Sequence, residues 1–258
     1  MKVVLLAGGL GSRISEESVI RPKPMIEIGN KPIIWHIMKL YSYYGFNDFI
    51  ICLGYKGYII KEYFINYFYH QSDLTIDMKN NSIKIHSNHS EPWIITLVDT
   101  GMETMTGGRI KRIKDYVDNK TFMLTYGDGL SNINIKDLYN SHKKSKKMAT
   151  LTAVKLDNRF GVVKIDENNI VERFKEKPKE SNDWINAGFF VLEPEIFNFI
   201  ENDLSVWEKE PLENISNIKE LNSYKHEGFW KPMDTLRDKN ELQDLWNLNK
   251  AQWKIWDN

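Results

Sequence analysis

A short glycine-rich segment near the start of the chain has residues that could bind phosphate. Residues 5–13 have the sequence LLAGGLGSR, in which three glycines directly follow an apolar run. Glycine has no Cβ, so the backbone amides of such a loop can approach an anion closely. The dinucleotide fingerprint would require a further glycine at Ile14, and the Gly-Lys-Ser/Thr sequence of a Walker loop is absent. The loop therefore suits a polyphosphate without matching either common motif, and taken alone it is also compatible with an ordinary turn.

A lysine shortly after this loop strengthens the phosphate interpretation. Lys23 lies between Pro22 and Pro24, whose fixed φ angles stiffen the backbone around it. A rigid backbone would direct one ammonium group toward the loop, where it could bind phosphate oxygens. The alternative is a solvated loop lysine with no ligand.

Two further segments carry groups that could bind a metal or an anion. Asp128 stands between two glycines just after the apolar run 122–125, and ligands of open α/β sheets bind at the carboxyl ends of such strands. We therefore predict that Asp128 is a metal ligand. Arg109 follows two glycines at the start of a predicted helix, where it could pair with phosphate through two nitrogens. A capping turn with a surface arginine is an equally good interpretation of that segment.

Composition limits the class of protein. The 258 residues include 35 Lys plus Arg and 35 Asp plus Glu, so the chain lacks the positive field that nucleic-acid binding requires. The one cysteine, Cys52, lies in an apolar run, which excludes an internal disulfide and predicts a reducing compartment, the cytoplasm. The start of the chain does not resemble a signal peptide, and no apolar stretch approaches eighteen residues. We expect neither export nor a membrane partner.

The order of predicted elements indicates an α/β fold. Strand, helix, strand and helix follow one another through the first seventy residues, which is typical of a doubly wound, mostly parallel sheet. Alternating runs between Leu74 and His89 predict a small β excursion. Gly188 interrupts an otherwise apolar strand, so another group should pack closely there. The tryptophans at 246, 253 and 256 predict a docking face on the body of the protein or on a neighbouring subunit. No linker separates a second domain.

Beyond these local patterns, the chain resembles the glucose-1-phosphate cytidylyltransferase branch of the sugar nucleotidyltransferases over essentially its whole length. The segments that carry this resemblance are LAGGLGSR, RPKPMIEIGNKPIIWHIMK, DFIICLGYKGYIIKEYF, VDTGMETMTGGRIKR, TYGDG, FKEKPK, INAGFFVL and FWKPMDTLRDK. LAGG and PKPM are shared with thymidylyl- and uridylyltransferases, whereas WHIMK, TMTGGR and FWKPMDT are narrower. The departures are mild, because Ser12 keeps the hydroxyl of the usual threonine and Ala187 replaces a common glycine.

The resemblance implies a Rossmann-like nucleotidyltransferase fold in a single domain, residues 1–258. About 1–130 would bind the nucleotide, and about 131–258 would bind the sugar phosphate and supply the C-terminal helices used in oligomerisation. The implied reaction converts CTP and α-D-glucose 1-phosphate to CDP-glucose and pyrophosphate with Mg²⁺, in a cytoplasmic homo-oligomer, a hexamer or tetramer. Two alternatives remain. The enzyme could transfer a thymidylyl or uridylyl group, or the chain could be a non-catalytic sugar-nucleotide sensor, which should have lost Lys23 or an aspartate.

The resemblance also assigns roles to individual residues. Lys23 and Arg13 would be catalytic, and Asp128 and Asp234 would hold the metal. Without the resemblance, the sequence offers an alternative role for Asp234. It could be the N-cap of the apolar helix that begins after Thr235. The implied nucleotide-binding residues are Leu6, Ala7, Gly8, Gly9, Leu10, Gly11, Ser12, Arg13, Lys23, Thr104, Arg109 and Gly127. The implied sugar-phosphate residues are Glu176, Lys177, Asn186 and Gly188, of which Glu176 and Lys177 would otherwise be an exposed charged pair before a proline.

Overall fold

The strands form one large sheet with small two-stranded additions. The computed structural model describes residues 1–155, the backbone of strands 162–165 and 171–175, and residues 184–256. In chain order the strands are β1 (Lys2–Leu6), β2 (Glu27–Ile28), β3 (Lys31–Pro32), β4 (Asp48–Leu53), β5 (Ser72–Asp77), β6 (Ser82–Asn88), β7 (Ile94–Asp99), β8 (Phe122–Tyr126), β9 (Gly129–Ser131), β10 (Ala149–Lys155), β11 (Val162–Ile165), β12 (Val171–Lys175), β13 (Trp184–Leu192), β14 (Leu221–His226) and β15 (Trp230–Pro232).

Helices connect these strands and cover the large sheet. They are α1 (Ser15–Ser18), α2 (Ile33–Tyr43), α3 (Gly57–His70), α4 (Thr106–Arg112), α5 (Ile135–Ser145), α6 (Glu210–Asn217) and α7 (Leu236–Asn247). Short 3-10 turns occupy Ser12–Ile14, Lys23–Met25, Lys114–Tyr116 and Pro194–Phe199. In the part of the chain that the structure describes, no helix combines the length and apolar character needed to cross a membrane.

The large sheet has seven strands in the order β14, β10, β13, β8, β1, β4, β7. Neighbours pair in parallel except at β13, which runs antiparallel to both β8 and β10. The predicted mixed, mostly parallel sheet is therefore confirmed. The predicted β excursion is the antiparallel hairpin of β5 and β6.

Apolar residues cover both faces of this sheet, as a doubly wound fold requires. Side chains of a strand alternate between faces, and in β1 Val3 and Leu5 join one buried cluster while Val4 joins the other. The first cluster also includes apolar residues of α2 and Met233, which directly follows β15. The second also includes Ile110 of α4. Burial on both faces explains why β1 is a continuous apolar run rather than an alternating one.

The C-terminal tryptophans pack on the body of the same chain. Trp246, Trp253 and Trp256 surround the imidazole of His36 on α2, with ring centroids 5.0, 6.2 and 6.2 Å away. His36 donates from Nε2 to the carbonyl of Ile28 at 2.8 Å, and its Nδ1 accepts from Trp253 Nε1 at 3.4 Å. The sequence predicts that these tryptophans dock either on the body of the protein or on a neighbouring subunit, and in the structure they dock on the body. This packing leaves the expected homo-oligomer, a hexamer or tetramer, as a prediction.

Candidate active site

A cleft of about 520 Å³ opens at the carboxyl ends of β1 and β8, which are neighbours in the middle of the sheet. This is the edge at which open α/β sheets bind ligands. Most residues predicted for the nucleotide and the metal line the cleft. They are Leu6, Ala7, Gly8, Gly9, Leu10, Gly11, Ser12, Arg13, Lys23, Thr104, Arg109, Gly127, Asp128 and Asp234.

The glycine-rich loop leaves β1 and turns sharply into the 3-10 turn at Ser12. Gly11 has a φ of 66°, a left-handed conformation that glycine adopts at little cost. An added Cβ at Gly9 would meet open space, and Leu10 is exposed. The loop is therefore open toward the cleft on the side where the sequence predicts phosphate.

Lys23 is buried although it carries a charge. Only 8% of the residue is exposed, and it lies in the 3-10 turn that follows Pro22. Its ammonium nitrogen donates to Asp128 Oδ2 at 2.5 Å and to Asp234 Oδ1 at 2.7 Å. A buried ammonium is stable only when it is paired and hydrogen-bonded, and the two aspartates supply that pairing.

A two-stranded ribbon brings these aspartates together from distant parts of the sequence. β9 begins directly after Asp128, and β15 ends shortly before Asp234. The two strands pair antiparallel, with Gly129 opposite Pro232, and Met233 donates its amide to the carbonyl of Asp128 at 2.8 Å. The register of the ribbon therefore sets the distance between the two carboxylates.

The N-cap of α7 is Thr235, not Asp234. The Thr235 hydroxyl accepts from the Asp238 amide, and Asp238 accepts from the Thr235 amide, which forms a capping box. Since Thr235 caps the helix, the Asp234 side chain is available to the cleft. Asp234 also accepts from Arg13 at 2.8 Å through its second oxygen, and the Arg13 side chain is 71% exposed.

The two carboxylates fit a divalent cation. Both already contact one cation, the Lys23 ammonium, so a single ion can reach both. Carboxylate oxygens are hard donors that suit Mg²⁺, which takes few protein ligands and completes its shell with water and phosphate. Among the described residues no group of three or more His, Cys, Asp or Glu side chains could hold a metal.

Arg109 contacts the backbone of the cleft rather than projecting a free guanidinium into it. Its NH1 donates to the carbonyls of Leu53 at 3.0 Å and Gly101 at 2.7 Å, and its NH2 donates to the carbonyl of Gly8 at 3.0 Å. Burial lowers the pKa of this guanidinium, which nonetheless stays charged. Arg109 thus ties the glycine-rich loop to the ends of β4 and β7.

The two glycines before Arg109 serve close packing. A Cβ at Gly107 would lie 2.7 Å from the carbonyl oxygen of Ser205, and one at Gly108 would lie 2.4 Å from that of Asp203. Helix α4 is therefore pressed against the segment that precedes α6. The backbone of residues 203–205 therefore packs against both glycines, and the Gly108 amide donates to the Ser205 carbonyl at 3.2 Å.

Two of the predicted sugar-phosphate residues, Asn186 and Gly188, are not among the residues that line the cleft. Asn186 accepts from the amide of Gly188 at 2.8 Å and donates to the hydroxyl of Tyr126 at 3.4 Å. Gly188 has a φ of 79°, and a Cβ there would lie 2.4 Å from Tyr126 Cδ2. The close packing predicted at Gly188 is confirmed, and the group is the Tyr126 ring. The other two, Glu176 and Lys177, lie outside the described residues.

Sequence reasoning missed Glu208, which also lines the cleft. It lies in the segment before α6 and accepts from Thr106 and from the hydroxyl of Tyr126. Nothing in its local sequence distinguishes it from the surrounding surface glutamates. The two contacts that identify it join Glu208 to Thr106, 102 positions away in sequence, and to Tyr126, 82 positions away.

Comparison with known proteins identifies the family. A model of the nucleotidyl transferase family matches residues 2–252. The chain belongs to this family. Among curated nucleotidyl transferases, the glucose-1-phosphate cytidylyltransferases of Salmonella typhi and Salmonella typhimurium are each 54% identical to it over 258 residues, which is 100% of this chain and 100% of each relative.

Solved structures agree on the fold of this nucleotidyl transferase. The crystal structure of HddC from Yersinia pseudotuberculosis superimposes with a TM-score of 0.68 at 23% sequence identity, covering 95% of this chain and 99% of HddC. At that level of identity the likeness concerns architecture. It agrees with the Rossmann-like, mostly parallel sheet.

Proposed function

We propose that this nucleotidyl transferase converts CTP and α-D-glucose 1-phosphate to CDP-glucose and pyrophosphate. The observation that carries the proposal is the meeting of Lys23, Asp128 and Asp234 beside the glycine-rich loop. Full-length identity of 54% to glucose-1-phosphate cytidylyltransferases supports the choice of substrates. A non-catalytic sensor would be expected to have lost Lys23, Asp128 or Asp234, and this chain has all three.

The reaction is a displacement at the α-phosphorus of the nucleotide. A phosphate oxygen of the sugar phosphate forms a bond to that phosphorus, and the bond to the bridging oxygen of the β-phosphate breaks as pyrophosphate leaves. The attacking oxygen is already anionic at neutral pH, so the step requires no general base. Catalysis must instead come from positioning two anions in line and offsetting their repulsion.

Residues of the glycine-rich loop and two cations would do this. The amides of Gly8 to Arg13 would bind the triphosphate, since the loop is open there and glycine permits close approach. The Lys23 ammonium would bind oxygens of the transferring and leaving phosphates, and Arg13 at the exposed rim would add a second positive charge. Thr104 and Gly127 would complete the nucleotide side, and Arg109 would support it by holding the carbonyl of Gly8 in the loop.

Asp128 and Asp234 would hold Mg²⁺ against the phosphates. The bound ion would neutralise phosphate charge and polarise the phosphorus–oxygen bonds. Their carboxylates lie at one point of the cleft because the ribbon of β9 and β15 holds them there. With the metal on the carboxylates, the Lys23 ammonium would turn to the phosphates instead.

The sugar phosphate would bind on the side of the cleft formed by the second half of the chain. In this proposal residues 1–130, approximately, bind the nucleotide and residues 131–258 bind the sugar phosphate, with Glu176, Lys177, Asn186 and Gly188 as its candidates. Asp234 belongs to this second half and Lys23 to the first. The reacting groups would meet where the two halves adjoin.

A nucleotide panel tests the proposal. Purified protein is incubated with glucose 1-phosphate, Mg²⁺ and one of CTP, UTP, dTTP or GTP, and pyrophosphate release is measured. We expect the highest kcat/KM with CTP. A preference for UTP or dTTP would replace cytidylyl transfer by uridylyl or thymidylyl transfer, and no release with any nucleotide would favour a sensor.

A further inference from the structure

Glu208 lies at the junction of two walls of the cleft. Its Oε2 accepts from the Thr106 hydroxyl at 2.7 Å, and its Oε1 accepts from the Tyr126 hydroxyl. Thr106 is the first residue of α4, on the side that carries Thr104 and Arg109. Tyr126 is the last residue of β8, two positions before Asp128. One carboxylate therefore joins two elements that contribute separately to the site.

The hydrogen bonds continue beyond Glu208 in both directions. Thr106 accepts from the amide of Trp207 at 2.9 Å, so the hydroxyl is held on two sides. On the other side Tyr126 accepts from Asn186, which in turn accepts from the amide of Gly188.

Both ends of this hydrogen-bonded chain are closely packed. Gly107 and Gly108 bring the backbone of α4 against Ser205 and Asp203, so the segment that carries Glu208 is fixed on this helix. At the other end, the ring of Tyr126 fills the space that a side chain at position 188 would occupy. A small displacement of one wall would therefore be transmitted to the other through Glu208 rather than absorbed by a flexible side chain.

From this arrangement we infer that Glu208 is a positioning residue that holds the nucleotide side and the sugar-phosphate side of the cleft in a fixed relation. It acts through Thr106 on the nucleotide side and through Tyr126 and Asn186 on the sugar side. The inference rests on the proposed function for the assignment of the two sides. Its consequence is that losing the carboxylate impairs both substrates, whereas losing either hydroxyl impairs mainly one.

Steady-state kinetics of three variants test this. Each substrate is varied while the other is saturating, and the two KM values are compared with those of the wild type. We expect Thr106→Val to raise mainly the KM of the nucleotide and Tyr126→Phe mainly that of the sugar phosphate. Glu208→Ala should raise both by about tenfold, as expected for hydrogen bonds to a charged group. Glu208→Gln, which keeps the length and one acceptor oxygen, should fall between Glu208→Ala and the wild type in both.

Matched variants separate positioning from folding. Glu201→Ala removes an exposed glutamate of the same segment and should leave both KM values unchanged. If Glu208→Ala does not fold, the double variant Thr106→Val/Tyr126→Phe removes the same two hydrogen bonds and should raise both constants. An increase confined to one KM in Glu208→Ala, or a lower melting temperature with unchanged KM values, would overturn the inference.

The outcome is distinguishable from failure of the proposed function. The nucleotide panel on the wild type is measured first, and the variants are then assayed with whichever nucleotide that panel prefers. Where turnover is too low, calorimetric binding of each substrate alone supplies the same comparison. If Glu208→Ala binds both substrates more weakly than the wild type, the positioning role is supported, whichever nucleotide base the enzyme prefers. If only one substrate binds more weakly, the role is contradicted.

Discussion

Lys23 Nζ lies 2.5 Å from Asp128 Oδ2, although 105 residues separate the two in sequence. The contact joins the proline-flanked turn after the glycine-rich loop to the residue that follows the central strand β8. Asp234 accepts from the same ammonium, so three charged groups share one point of the cleft. The ammonium is thus held next to the loop where we propose that the triphosphate binds.

Replacement of Lys23 by alanine should lower kcat by about 10²–10³-fold, the usual effect of removing one preorganised donor from a developing charge. We expect the fold to persist, because the lysine is on a short turn and its loss leaves two carboxylates that still reach solvent. Pyrophosphate release and a circular dichroism spectrum measure the two effects. Lys84→Ala on the exposed hairpin is the control, and wild-type turnover in Lys23→Ala would remove the catalytic assignment.

Asp128→Asn and Asp234→Asn should each raise the Mg²⁺ concentration that gives half-maximal rate by about tenfold or more, since each removes one charged oxygen ligand. Electron paramagnetic resonance of Mn²⁺, with a non-hydrolysable nucleotide present, measures the same loss as weaker binding. Asp244→Asn changes an exposed aspartate of α7 and should alter neither measurement. Metal binding equal to that of the wild type in both variants would disprove the assignment.

Gly188→Ala should destabilise the protein more than Gly45→Ala, by about 1–3 kcal/mol in the free energy of unfolding. Both glycines have positive φ, 79° and 87°, so both variants incur backbone strain. Only at Gly188 would the new Cβ also clash with Tyr126, whereas none of the described atoms lies within 4 Å of it at Gly45. Urea unfolding of the two variants isolates the clash, and equal losses would mean that the Tyr126 ring moves aside freely.

Stability should fall as the solution is acidified from pH 6.5 toward pH 4. Burial among the tryptophans lowers the pKa of His36 from 6.5 to about 4, so in this range the unfolded chain binds a proton that the folded chain excludes. The free energy of unfolding should decrease by about 1.4 kcal/mol per pH unit from this residue.

Urea unfolding followed by tryptophan fluorescence at pH 7 and pH 5 measures this decrease. The difference between the two pH values should shrink in His36→Gln and stay unchanged in His70→Gln, whose histidine is exposed. An unchanged difference in His36→Gln would show that other groups cause the acid sensitivity.

The architecture was predictable because its signals are local. The continuous apolar run at β1 marks a strand buried on both faces, and the spacing of 3.6 residues in α2 marks a helix packed on the sheet. The glycine-rich loop and Lys23 were likewise predictable, since glycine and proline restrict the backbone where they stand. That Asp234 approaches Asp128 could not be derived from spacing, because it depends on the register of β9 against β15. Only the family resemblance paired them.

Other parts of the site depended on contacts that no local pattern records. Arg109 was expected to reach phosphate, but its NH groups donate to carbonyls of three different segments, which only the folded chain brings together. Glu208 carries no signal in its own sequence neighbourhood. Its position follows from the packing of α4 on residues 203–205, a contact between elements about a hundred residues apart.

The ribbon of β9 and β15 also has a consequence for biosynthesis. A growing chain acquires the glycine-rich loop, Lys23 and Asp128 early, but Asp128 gains its partner carboxylate only after the ribosome has added Trp230 to Asp234 and β15 has paired with β9. Until then the ammonium of Lys23 has only one of its two carboxylates. A nascent polypeptide therefore completes this cluster of one ammonium and two carboxylates only after residue 234 has been added and the ribbon has formed.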